Sequence, residues 1–425
     1  MKEFIKGPSM DFPEAGDWEL GETFLFRGCC AFPLNPLYLK ERKERMRSMK
    51  MKPFGVEEWM NQYENDAVYN LGETCVKSLT VKELLDFQGR GKEGLEEIYE
   101  MQLTYGAIPG TVKLRKEVAG LYKTGTLSNV VIAHGGIGAN HLVFSALVEP
   151  GDEVISVMPT YQQHYSIPES LGAKVKILPL TLENGFLPDI KALEKMVNDH
   201  TKMIAINNPN NPAGSLMDRE CLEAIVEIAR AHDTYILCDE VYRGLNHQGD
   251  AFGPSIFDLY EKGISTGSMS KVFSLAGLRI GWIMAGEEVL REINIHRDYN
   301  TISCGKIDDY LAALALEAKD PILKRNRTLV LENAKILEEW VEREPRVTYQ
   351  KPSAGTTAFI QYDYKIKSRD LALRLLRDTG VFLVPGEALD REGYLRIGYA
   401  NDSRSVKEGL DKMSEYFRIL EKEGK

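Results

Sequence analysis

Between Asn129 and Ala285 the chain alternates seven short β-branched runs with helical patterns. The runs are NVVIAHG from Asn129, DEVISVM from Asp152, AKVKILPL from Ala173 and KMIAINNP from Lys202. TYILCDEVY from Thr234, GISTGSMSK from Gly263 and RIGWIMA from Arg279 complete the set. One intervening stretch, DRECLEAIVEIARAH, spaces Leu222, Ile225, Val226 and Ile228 close to a helical period, with Asp218 as its N-cap. Strand–helix alternation of this kind constrains the fold strongly. Each strand is apolar on both faces, so the sheet is expected to be largely parallel and covered by helices on both sides. The expected class is therefore α/β, a large domain with a mostly parallel sheet between helices.

A second region follows. A helical stretch is expected from about Val289 to Arg327, then shorter strands, TTAFIQYDY and GYLRIGYA, around the helix SRDLALRLLRDTG. This reads as a smaller α+β domain. The expected boundaries are an N-terminal extension over 1–50, a segment over 51–96 that joins the small domain, the large domain over 97–290, and the small domain over 291–425. A charged run, LKERKERMRSMKMK, closes the extension and reads as a solvated segment.

Charge and cysteine usage narrow the partners. A formal net charge of -10 repels phosphate backbones, so neither nucleic acid nor an anionic membrane is an expected partner. No run approaches the roughly 18 apolar residues of a membrane helix. None of the six cysteines forms a CxxC pair, so neither a metal site nor a disulfide framework is expected. A cytoplasmic location is the expectation.

In open α/β sheets ligands bind beyond the carboxyl ends of the strands. There the sequence places GGIGANH (Gly135 to His141), NNPNNPAG (Asn207 to Gly214), DEVY (Asp239 to Tyr242) and SMSK (Ser268 to Lys271), with Arg279 eight residues beyond the lysine. Singly, each has an ordinary reading: a tight turn, turn chemistry, a solvated strand end, a surface lysine. GGIGA completes neither GxGxxG nor the GxxxxGK[ST] phosphate loop. Together, at the ends of successive strands, they imply a common crevice.

This order and spacing resembles the class I/II aminotransferase family, the fold type I pyridoxal-phosphate enzymes. The likeness runs from about Pro53 to the C-terminus. It is carried most specifically by SMSKVFSLAGLRIGW, then by NNPAG and CDEVYRGL. The resemblance implies pyridoxal 5'-phosphate as a Schiff base on Lys271, whose amine also serves as acid and base. It implies Asp239 at the pyridine nitrogen, with Tyr242 and Asn211 at the ring's phenolic oxygen. The phosphate falls to the N–H groups of Gly136 and Ile137 at a helix N-terminus, with Ser268, Ser270 and Arg279. Tyr161, in PTYQQH, takes the position of the ring that stacks on the cofactor. Tyr105, in TYGAIPG, matches a tyrosine that reaches the neighbouring subunit's phosphate site, which implies a homodimer with shared sites. Arg396, in GYLRIGYA, matches the clamp for the substrate's α-carboxylate, where Asn211 also contributes.

Some positions depart from the family pattern. Ile137 stands where many relatives carry a hydroxyl or lysine, NPAG replaces the commoner NPTG, and YNLGETCVKSL replaces a glycine-rich segment. That last segment resembles a subgroup that includes capreomycidine synthase. There Glu73 is either a pocket residue or a solvated turn residue. Arg297 and Gln163 are further candidates to line the pocket. The expected activity is transfer of an amino group between an L-amino acid and a 2-oxo acid. The alternatives are a cofactor-dependent lyase or cyclase, and a non-catalytic cofactor-binding sensor. The sensor would need an N-terminal DNA-binding domain, and the first fifty residues are short for one.

Overall fold

The computed structural model describes residues 51–424. The expectations for the extension over 1–50 lie outside these residues. The described chain opens on helix α1 (Gly55–Tyr63), with Glu57 and Glu58 in its first turn, where they complement the helix dipole. Val56 and Trp59, three residues apart, are buried on one face. Trp59 stacks on Phe382 and donates from Nε1 to Leu383 O at 2.8 Å. Burying a ring of this size contributes about 1.5–3 kcal/mol, and it fixes α1 against the C-terminal third of the chain.

The seven β-branched runs form seven strands. They are β1 (Val130–His134), β2 (Glu153–Met158), β3 (Lys174–Pro179), β4 (Thr201–Asn207), β5 (Tyr235–Asp239), β6 (Gly263–Ser268) and β7 (Ile280–Met284). They make one sheet in the order β1-β7-β6-β5-β4-β2-β3. All pairs are parallel except those of β7, which runs antiparallel to both β1 and β6. This reversal matters for the site. The carboxyl ends of the parallel strands share one edge of the sheet, and β7 begins at that same edge, so Arg279, just before β7, joins the strand-end clusters. Helix α2 (Gly135–Leu147) starts directly from β1. The expected helix after Asp218 spans Arg219–Ala231, and the Asp218 side chain accepts from Cys221 N at 2.9 Å. Leu222, Ile225 and Val226 of the apolar period are buried, with Ala229 in place of Ile228, which is half-buried.

The helical stretch expected over Val289–Arg327 is three helices, Glu287–Asp298, Lys306–Glu317 and Lys319–Val341. The first break has a local cause. Ile302 adopts a left-handed backbone at φ 59° and Gly305 caps the next helix in an extended conformation; neither conformation continues an α-helix. Beyond these helices a second sheet holds β8 (Val347–Tyr349), β9 (Thr357–Tyr362), β10 (Val384–Pro385) and β11 (Tyr394–Gly398), antiparallel, in the order β10-β11-β9-β8. Tyr69–Asn70 pairs with Val381–Phe382 beside it. Among the described residues no helix is long and apolar enough to cross a membrane.

Candidate active site

A cavity of about 320 Å³ opens at the shared strand edge, within the range usual for small-molecule sites. Its floor is Asp239, the last residue of β5, 3% exposed. The carboxylate accepts from Asn140 Nδ2 at 2.8 Å and from Val241 N at 3.1 Å, and His164 Nε2 stands 3.8 Å away. Asn140 is fixed in turn, since its Oδ1 accepts from Thr266 Oγ1 at 2.7 Å. A buried carboxylate oriented in this way presents a fixed negative charge to the cavity.

At one end the chain makes a phosphate-sized cradle. The first N–H groups of α2, those of Gly136 and Ile137, have no partner within the helix and carry its positive dipole end. Glycine is required here by close approach. Gly135 has φ 67°, and a Cβ there would stand 2.7 Å from Arg279 Nη2. A Cβ at Gly281 would overlap the backbone of Gly135 and come 2.6 Å from Gly136 N. Arg279, itself left-handed at φ 50°, donates from Nη1 to Ala276 O at 2.9 Å. Ser268 lies against Gly136, and its hydroxyl accepts from Ser270 N at 3.3 Å. Two serine hydroxyls, a guanidinium and a helix N-terminus fit a bound dianion.

Lys271 stands on the loop after β6, walled by Thr74 and Cys75. Its Nζ donates to Thr74 Oγ1 at 2.6 Å and lies 3.4 Å from Cys75 Sγ. Burial pushes the amine's pKa down, and Cys75, Tyr242 and Glu73, when ionised, push it up by more, so the free amine is an ammonium near pH 7. Burial also raises the Cys75 thiol, to about 11, and the Tyr242 phenol. Both are neutral near pH 7, which leaves Glu73 as the charged neighbour of the three. An anion, not a cation, therefore stands beside the amine.

Arg396, from the middle of β11, is 3% exposed. It donates to Gly72 O at 2.9 Å and to Asn211 Oδ1 at 3.3 Å, and its Nε has no protein partner. Burial lowers its pKa, opposed chiefly by Tyr242, Glu73 and Glu57. A buried guanidinium with an unused donor fits an incoming carboxylate. Asn211 is positioned by its own N–H, which donates to Asn207 Oδ1 at 2.7 Å. Tyr161 lies over the opposite side, its ring 4.7 Å from that of Phe54 and its hydroxyl donating to Glu57 Oε1 at 2.8 Å.

Of the residues expected from sequence, Gly136, Ile137, Tyr161, Asn211, Asp239, Tyr242, Ser268, Ser270, Lys271, Arg279 and Arg396 all line this one cavity. Glu73 lines it too, rather than standing in solvent. Three candidates do not. Tyr105 is 81% exposed and outside this chain's cavity. Gln163 lies behind the wall, donating to Ile137 O at 3.0 Å. Arg297 is 0% exposed and packed away from the cavity. Sequence reasoning missed Asn140, His164, Thr74 and Glu57. Asn140 and His164 sit inside motifs quoted for other residues, GGIGANH and PTYQQH. Glu57 carried no motif and is brought in only by the docking of α1.

Known proteins resemble this chain in sequence and fold. The family model for aminotransferase class I and II matches residues 81–413. A solved PLP-dependent aminotransferase from Streptococcus suis is 42% identical with a TM-score of 0.85, covering 87% of this chain and 99% of that one. Capreomycidine synthase of Streptomyces vinaceus is 29% identical over 85% of this chain and 92% of that enzyme. An aspartate aminotransferase of Pyrococcus horikoshii is 30% identical over 76% of this chain and 84% of that enzyme.

Proposed function

This chain belongs to the class I and II aminotransferase family, and from that premise we propose that it moves an amino group between an L-amino acid and a 2-oxo acid, with pyridoxal 5'-phosphate held on Lys271. The observation that carries the reading is the convergence of Lys271, Asp239, Arg279 and Arg396 on one cavity. When bound, the cofactor supplies an aldehyde carbon and an electron-withdrawing ring. The protein's residues divide the remaining work. Gly136, Ile137, Ser268, Ser270 and Arg279 hold the phosphate. Asp239, braced by Asn140, keeps the ring nitrogen protonated through a buried charge pair. Tyr242 and Asn211 orient the ring oxygen, and Tyr161 covers one face.

Arg396 then binds the substrate's α-carboxylate and fixes which bond at the α-carbon faces the ring. Lys271 Nζ, as a neutral amine, would take the proton from that carbon and deliver it to the cofactor's former aldehyde carbon. For this the ammonium must first give up its own proton. Glu73 stabilises the charged form and Thr74 Oγ1 holds the amine in place.

A homodimer in the cytoplasm belongs to the same proposal. Leu103, Tyr105, Ile108, Tyr299 and Ile302 are all exposed apolar side chains. Their two segments adjoin, with Lys306 Nζ donating to Gln102 O at 2.7 Å. An exposed apolar patch of this kind suits a subunit contact. Tyr105 would then serve the partner's phosphate site.

The likeness to capreomycidine synthase supports a second reading, a cofactor-dependent lyase or cyclase built on the same residues. One experiment separates the two. Holoenzyme given an amino acid alone should lose the absorbance of the lysine-bound cofactor while releasing one equivalent of 2-oxo acid. Ammonia or a cyclic product, formed with no oxo-acid acceptor, rejects transfer in favour of the second reading.

A further inference from the structure

The roles proposed above use four of the charged residues that line the cavity: Asp239, Lys271, Arg279 and Arg396. The other charged lining residues are Glu57, Glu64 and Glu73, of which Glu73 alone has a role above, as the anion beside Lys271. All are carboxylates, and among the described residues the cations that line the cavity are Lys271, Arg279 and Arg396, which already have roles. Their placement is ordered. Glu57, Met60, Asn61 and Glu64 recur at the spacing of one helix face, and all four line the cavity. From Glu57 to Glu64 that face spans about 10 Å at 1.5 Å per residue. Glu73 stands across from it, next to Lys271 and Arg396.

Each carboxylate is anchored rather than loose. Glu57 Oε1 accepts from Tyr161 Oη at 2.8 Å, and Glu64 Oε1 from Asn70 Nδ2 at 3.0 Å. Glu73 Oε1 accepts from the N–H of Thr74 at 2.6 Å and of Cys75 at 2.8 Å. Accepting at one oxygen leaves a carboxylate its charge and further lone pairs. Burial alone would raise the pKa of Glu73; the charge of Lys271 and the amides of Cys75 and Thr74 outweigh it, so the group stays ionised. An α-amino acid clamped at Arg396 thus has its side chain among fixed negative charges. Among the described residues a second carboxylate on the substrate meets no cation beside these three glutamates other than Lys271, Arg279 and Arg396. Arg297, considered from sequence as a pocket-lining residue, is buried elsewhere.

We infer that the amino-acid substrate carries a cationic side chain, an L-amino acid of the ornithine, lysine or arginine kind, and that Glu73, with Glu57 on α1 and Glu64 at the C-cap of that helix, selects it. The inference rests on the proposed function for Arg396 and Lys271, but not on the final product. The test is titration of holoenzyme with L-arginine, L-ornithine and L-lysine, with the neutral isosteres L-citrulline and L-norleucine, and with L-aspartate. Binding is read from the change in cofactor absorbance. The basic amino acids should bind at least about tenfold more tightly than their neutral isosteres, with aspartate weakest. Glu73→Gln and Glu57→Gln should each lose more affinity for arginine than for citrulline. Equal binding of arginine and citrulline, preference for aspartate, no response to any basic amino acid, or an arginine preference unchanged in both variants overturns the inference. Preferential arginine binding followed by ammonia release would uphold it while rejecting amino transfer. Oxo-acid formation from aspartate in preference to arginine would do the reverse.

Discussion

Lys271→Ala is expected to abolish the absorbance of lysine-bound cofactor and to lower kcat/KM by about 10⁴-fold or more, since covalent attachment and the proton carrier are lost together. The protein should still fold. Lys271 Nζ makes hydrogen bonds only to Thr74 Oγ1 and Cys75 Sγ among the described residues. The loop that carries it is held independently, by Met269 N to Ile280 O at 3.0 Å and Leu275 N to Met269 O at 3.0 Å. The phosphate cradle is also untouched, so the variant should retain cofactor noncovalently, with the spectrum of a free aldehyde. Absorbance before and after adding the cofactor, with steady-state rates, measures both effects.

Asp239→Asn is expected to separate binding from chemistry. The substitution keeps the shape and removes the charge. The covalent link to Lys271 and the phosphate contacts remain, so the lysine-bound absorbance should form. What is lost is the charge pair that keeps the ring nitrogen protonated. Removing one preorganised electrostatic contact of this kind typically lowers kcat by about 10²–10³-fold, and KM should move much less. Asn140 Nδ2 and Val241 N donate to the two carboxylate oxygens, so the amide oxygen keeps one of these bonds and the other is lost along with the charge. A fall in KM-linked affinity with kcat intact would place Asp239 in a structural role instead.

The sheet was legible because its signal is local: seven apolar runs, each bounded by turn residues, need no knowledge of their neighbours. The reversal of β7 was not, because direction is set by pairing across the sheet. Even so, Arg279 was found, since the residue that the reversal delivers to the strand edge is adjacent in sequence to SMSK. The helical region was read as one stretch because the break at Ile302 and Gly305 lies in backbone angles rather than in apolar spacing. In the site, residues just past strands were accessible to sequence reasoning. Glu57 was not, because it comes from a helix whose arrival depends on Trp59 docking at Leu383, far away in sequence. Arg297 shows the converse. Its charge suggested a pocket lining, and its complete burial removes it from the cavity.

The central claim is that Lys271 is the amine that holds the cofactor. Borohydride reduction of the holoenzyme, followed by proteolysis and mass spectrometry of the labelled peptide, tests it directly. The account predicts cofactor label on the SMSK peptide at Lys271 and no label in Lys271→Ala. Label on a different lysine, or undiminished label in that variant, would contradict it.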